Sequence, residues 1–237
     1  MDISDIIGDS ISYPLHNIKA LLIFAIIGII GGIAGGTTIL GIITATATHQ
    51  PFTADALGIV GFIIFIIILL IIQGYTLDIV KYGIERKDDA PGISPKRQFL
   101  NAIKYIVVDI VYYIIPAVIS WLLLTLLGHG ILTVIISFII YVVFALANFM
   151  AVCRLAETDS LGVALAIPDA IGDISSIGIF KIIAVVAVVF IVLLILYGVT
   201  MLVFGYQNIV GSILLGALGV YGLFFSNRAM GLLYSDV

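Results

Sequence analysis

One carboxylate stands in unusual company. Asp109 follows Lys104 by five residues, and beyond it no Asp, Glu, Lys or Arg occurs from Ile110 to Cys153, 44 residues. On a helix Asp109 lies roughly 7–8 Å past Lys104. A carboxylate in apolar surroundings is costly unless it takes up a proton, a cation or a hydrogen-bond donor. Tyr112 and Tyr113, a turn further on, are available donors, and Arg154, Lys81 and Lys104 are available cations. Two roles follow for Asp109: a proton or cation site, or one half of a structural ion pair, the plainer expectation. Pro116, seven residues on, kinks the helix that carries it.

Other chemistries find little support. The three histidines are His16, His49 and His129, and the single cysteine is Cys153. Neither H-E-x-x-H, H-x-x-E-H nor a Cys pair is present, so neither a metal site nor an internal disulfide is expected. G-x-S-x-G, the P-loop and the dinucleotide-binding glycine pattern are also absent. We therefore expect no cofactor and no enzymatic activity. A net charge of −4 gives no reason to expect nucleic acid as a partner.

The elements that position Asp109 follow from composition. The chain has 237 residues, 62% hydrophobic and only 10% charged, with mean hydropathy +1.31. A water-soluble fold has about 25% charged residues, so lipid is the expected solvent. Uncharged stretches run from Ala20 to Ala54, Ile110 to Cys153 and Ile182 to Asn227. The last two are each long enough for two spans, with breaks at Gly128-His129-Gly130 and Gly205-Tyr206-Gln207-Asn208. Runs such as FIIFIIILLII, residues 62–72, do not alternate as barrel strands do. The expectation is one all-α integral membrane domain over 1–237. Its spans fall at about 20–43, 57–77, 105–127, 131–152, 182–204 and 208–227, paired as three helical hairpins. The acidic start, MDISDIIGDSISYPLHNIK, lacks a basic region and is not read as a secretory signal.

Charge orients the spans. Lys81, Arg86, Lys87, Lys96, Arg97 and Lys104 all lie in the loop 78–104, and Lys19, Arg154, Lys181 and Arg228 flank the same side. The opposite connections, 44–56, 128–130 and 205–207, hold no Lys or Arg. Basic loops stay in the cytoplasm, so both termini are expected there, in a multi-pass protein of the cell membrane. The basic loop holds the topology and is also a candidate for anionic lipid headgroups.

Smaller features complete the outline. Ile3, Ile6, Ile7 and Ile11 recur at helical spacing among Asp2, Asp5 and Asp9, which predicts a short interfacial helix ended by Pro14. Ser94-Pro95 starts a helix that runs into span three. The link 155–180 predicts one or two interfacial helices: Thr158, Asp159 and Ser160 are candidate caps, Pro168 starts the second, and Gly178 ends it. Gly28, Gly32 and Gly36, every fourth residue, predict close helix packing, with Ser212, Gly216, Gly219 and Gly222 of span six or with another subunit. Gln73, Asn148, Gln207 and Asn208 are expected to hydrogen-bond between helices or at the surface.

Three stretches stand out together: SYPLHNIKALLIFAIIGII at 12–30, the passage from Gly74-Tyr75 through Pro91 and Lys104-Tyr105 to Ile115-Pro116, and Ala151-Val152-Cys153-Arg154-Leu155-Ala156-Glu157-Thr158. They resemble the domain of unknown function 4013 family of polytopic membrane proteins, common in archaea. The resemblance implies no activity. The expected function is a non-enzymatic membrane module of a transport or envelope-associated complex. Its surroundings would be the lipid bilayer and a protein partner at the cytoplasmic face. The alternatives are a small permease using Asp109, or a lipid-binding membrane organiser.

Overall fold

The apolar runs form long helices. A computed structural model describes residues 1–48, 51–204 and 209–236, and of 39–48, 51–57, 204 and 212 the backbone alone. His49, Gln207, Asn208 and the expected break at 205–208 lie outside the described residues or run beyond them. Among the described residues the elements are α1 (Ile3–His16), α2 (Ile18–Thr48), α3 (Pro51–Ile84), α4 (Pro95–Leu127), α5 (Ile131–Thr158), α6 (Leu161–Ala164), α7 (Ile167–Ile177), α8 (Ile179–Phe204) and α9 (Ile209–Tyr234), with no strand. Six of them, α2 to α5, α8 and α9, are long and apolar enough to cross a membrane. Large apolar side chains point outward along them, among them Trp121, Leu126, Ile131, Phe138 and Leu202. Such a surface is stable only in hydrocarbon. The chain is a multi-pass membrane protein.

Helices α3 and α9 form the middle of the bundle. Helix α2 packs on both, α4 packs on α3, α5 on α4, and α8 chiefly on α9. Lipid tails are as apolar as Leu, so close packing rather than the hydrophobic effect holds spans together. Small residues provide it here. A Cβ on Gly28 would stand 2.5 Å from the carbonyl oxygen of Gly216, and one on Gly216 would stand 2.3 Å from that of Gly28. The glycine face of α2 thus meets α9 of the same chain. One turn away, Phe24 stacks on Tyr75 with ring centroids 4.0 Å apart, and Phe224 closes the triangle at 5.8 and 5.5 Å.

Other glycines of the expected stripe do different jobs. Gly32 lines a shallow cleft with Gly28, and Gly36 is half-buried in α2. Gly219 turns toward α8, where its carbonyl accepts from Tyr197 Oη at 3.3 Å.

Several boundaries differ from expectation. Pro14 does not end α1: it is buried inside a helix that runs to His16. The reason is packing. Helix α1 rests on α8 and α9, and the side-chain amide of Asn17 ties the carbonyls of Tyr13 and Asp88 together beyond the proline. Most of 78–104 is helix as well, since α3 continues to Ile84 and α4 starts at Pro95. Proline at the first turn and Ser94 at the cap position match expectation. The link 155–180 is shortened by α5, which runs to Thr158, and α8, which starts at Ile179; between them lie α6 and α7, with Pro168 in the first turn of α7 and Gly178, φ 94°, at its end.

Candidate functional site

The basic end of the bundle is a set of closed ion pairs. Arg228, 1% exposed, is its hub. Its guanidinium donates to both carboxylate oxygens of Asp9, to Asp88 Oδ1 and to the carbonyls of Tyr82 and Lys87, and it lies 4.7 Å from the centre of the Tyr13 ring. One planar cation therefore joins α1, α9 and the loop after α3. Burial pushes the Tyr13 phenol well above its ordinary range, although Arg228 pulls the other way. Arg97 donates to Asp78 Oδ2 at 3.0 Å, and Asn101 donates to the other oxygen at 3.0 Å. Arg86 and Lys181 converge on Asp236 together with the Met1 ammonium. Burial pushes the Asp236 carboxyl up, but the hydrogen bonds from Lys181 and Met1 outweigh it and hold it below the usual carboxylate range.

These pairs bear on the six basic residues of the central loop. Arg86, Lys87, Arg97 and Lys104 each face an acid, at 3.1, 2.6, 3.0 and 2.6 Å. Lys81 and Lys96 have no acidic partner among the described residues. Most of the loop's charge is therefore neutralised within the fold.

Two of the three cations expected beside Asp109 are committed elsewhere, and the third, Lys81, forms no ion pair with it among the described residues. Arg154 donates to Asp173 Oδ2 at 3.0 Å and to Asp169 Oδ2 at 3.3 Å, on α7, and Tyr234 Oη also donates to Asp173. Lys104 bonds Asp159 at the end of α5. The ion pair expected for Asp109 is therefore not formed. Neither tyrosine is its donor: Tyr112 is fully buried and donates to the carbonyl of Ala164 at 2.9 Å, and Tyr113 is exposed. Instead Asn148 Nδ2, from α5, donates to Asp109 Oδ1 at 2.8 Å. The amide is 7% exposed, and its Oδ1 has no hydrogen-bond partner among the described residues. Sequence flagged Asn148 as an interhelical bond former. Its pairing with Asp109 needs only the antiparallel register that the turn at 128–130 imposes.

Beside this pair a cleft of about 380 Å³ opens between α9, α8 and the α4–α5 pair. Its wall is apolar, with Phe149, Val189 and Leu223, and its polar groups are Gln73, Tyr105, Ser226 and Asn227. Tyr105 is a turn before Asp109, and Phe149 follows Asn148. Among the described residues no three His, Cys, Asp or Glu side chains converge as a metal-ligand set.

The pair lies within the segment that comparison with known proteins recognises, as does the part of the cleft wall outside α9. A family model described as Protein of unknown function (DUF4013) matches residues 57–205. No curated protein and no solved structure matches the chain. The match takes in α4 to α8 whole, with most of α3, and so includes Asp109, Asn148 and Arg154 but not Arg228. It spans more than half of the sequence, and the chain belongs to the DUF4013 family of proteins of unknown function.

Proposed function

We propose that this chain is a non-enzymatic transport module of the cell membrane in which Asp109 binds and releases a proton or a small monovalent cation. One observation carries the reading. Asp109 lies inside a spanning helix, its described partner is a neutral amide, and Arg154 and Lys104 are engaged by other acids. A structural carboxylate in hydrocarbon is ordinarily matched by a cation. Asn148 suits a site with two states. Its NH₂ donates to the ionised carboxylate, and its carbonyl oxygen accepts from the acid form once the amide turns over. Both states then keep a hydrogen bond.

The same reading arranges the spans as three hairpins with the basic end and both termini in the cytoplasm, which sets the cleft at inner-leaflet depth. The orientation is tested with a cysteine placed at 96 and another at 129. Cys153 is buried, so labelling reports on the introduced thiol. Reaction of both from one side of intact cells refutes the topology. The transport role is tested in proteoliposomes. Asp109→Asn should abolish proton or ²²Na⁺ flux while thermal unfolding stays near the parent's, and Asp109→Glu should retain part of it. Full flux in Asp109→Asn refutes the site.

A further inference from the structure

The outer half of the α4–α5 pair is built inside out. Past Asp109, the residues that α4 buries are Tyr112, Pro116 and Ser120, and before Ala147 those that α5 buries are Thr133 and Ser137. All are polar or proline. The large apolar side chains of the same turns, Leu122, Leu126, Leu132 and Ile135 among them, face outward.

Register puts the buried groups on one line. Ser120 stands eleven residues beyond Asp109, and Ser137 eleven residues before Asn148. Antiparallel helices anchored by the Asp109–Asn148 bond bring the two serines level, about 16 Å from it at 1.5 Å per residue. Between them Pro116 has no N–H to give, so the carbonyl of Tyr112 loses its helical donor. Thr133 is a turn beyond Ser137, and the exposed His129 sits in the turn that joins the helices.

The unpartnered atoms fall on this line too. Ser120 Oγ, Ser137 Oγ and Asn148 Oδ1 are buried side-chain oxygens without a hydrogen-bond partner among the described residues. Their residues are 6%, 9% and 7% exposed. Hydroxyls kept only for packing gain nothing from an unmet oxygen, since Ala packs as closely without the desolvation cost. Oxygen acceptors spaced along an apolar hairpin are what a small hard cation needs in place of water.

We infer that the α4–α5 seam is an oxygen-lined route for a small monovalent cation, H⁺ or Na⁺, running from the His129 turn past Ser120 and Ser137 to Asp109 and Asn148. The inference rests on the reading of Asp109 as the binding site. Pro116, where the helical ladder of α4 lacks a donor, is where the seam would part to admit the ion, which exchanges hydration for these oxygens and leaves Asp109 toward the basic end.

The test compares the parent, Ser120→Ala/Ser137→Ala, Ser120→Thr/Ser137→Thr and Asp109→Asn in proteoliposomes. Protons are driven by a valinomycin-clamped K⁺ potential and followed with an internal pH dye, and ²²Na⁺ uptake is measured in parallel. The assay that shows flux above empty vesicles identifies the ion. The double alanine should cut flux about tenfold or more without lowering the unfolding temperature, and the hydroxyl-keeping double threonine should restore most of it. If the double alanine carries parental flux while Asp109→Asn carries none, the seam is packing alone and Asp109 remains the site. If Asp109→Asn also carries parental flux, or the parent carries neither ion, both readings fall.

Discussion

Replacing Gly28 with Ala tests how the bundle is held together. The added methyl would lie 2.5 Å from the carbonyl oxygen of Gly216 and 2.6 Å from Val220 Cγ2. The valine can rotate, but the carbonyl belongs to a helix backbone and cannot. Relief requires α2 and α9 to separate by about 0.8 Å, toward an ordinary carbon–oxygen contact, and a gap of that size forfeits a quarter to a half of each dispersion well it opens. The Phe24–Tyr75–Phe224 triangle, a turn away, spans the same interface and loosens with it. We expect a loss of about 1–3 kcal/mol. Gly216→Ala should cost a similar amount because its methyl meets the Gly28 backbone at 2.3 Å. The double variant should cost less than the sum, since one separation relieves both clashes. Gly172→Ala is the control. It sits on an exposed turn of α7 with nothing within 4 Å of its Cβ, and should stabilise by about 0.5–1 kcal/mol through helix propensity. The assay is unfolding in a mild detergent by circular dichroism. A Gly28→Ala protein that unfolds with the parent would refute the argument that backbone contact joins α2 to α9.

Further outcomes follow from the basic end. Arg228→Gln should destabilise by about 3–5 kcal/mol, and Asp9→Asn should cost far less in that background than in the parent, which a double-mutant cycle measures. Asp236 has a depressed folded-state carboxyl, so its contribution is full above the unfolded value near 3.9 and fades as pH falls through the folded one. The unfolding temperatures of the parent and Asp236→Asn should therefore differ at pH 7 and converge as pH drops below about 4. Tyr234→Phe removes one bond to Asp173 and should cost about 1 kcal/mol in thermal unfolding, with Arg154 still holding the aspartate.

Depth was legible in the sequence, whereas partner choice was not. Hydrocarbon excludes charge, so gaps in the charge map located the six spans, and the glycine spacing marked the face of α2 that meets a neighbour. Residue count along a helix gave the depth of Asp109 but not its azimuth. Lys104 is near it in sequence yet reaches across to Asp159, and Arg154 turns to α7, whose acids become neighbours only once the link folds back. Arg228 read as a flanking charge because a position just past an apolar run says nothing about burial. It is covered only when α1 folds under the bundle and brings Asp9 to it. In α4, Tyr112, Pro116 and Ser120 recur at a turn's spacing, but three weakly polar positions among many apolar ones do not stand out until the register with Ser137 is seen.

The meeting of α2 with α9 also bears on how the protein is made. Gly28 leaves the ribosome 188 residues before Gly216, which at 5–20 residues per second is roughly 10–40 s. During that interval the first span is already in the bilayer, with its flattened face, Phe24 and the adjoining Asp9 awaiting partners not yet synthesised. A chain stopped before α9 would leave the glycine face of α2 and one side of α3 without the helix that covers them here.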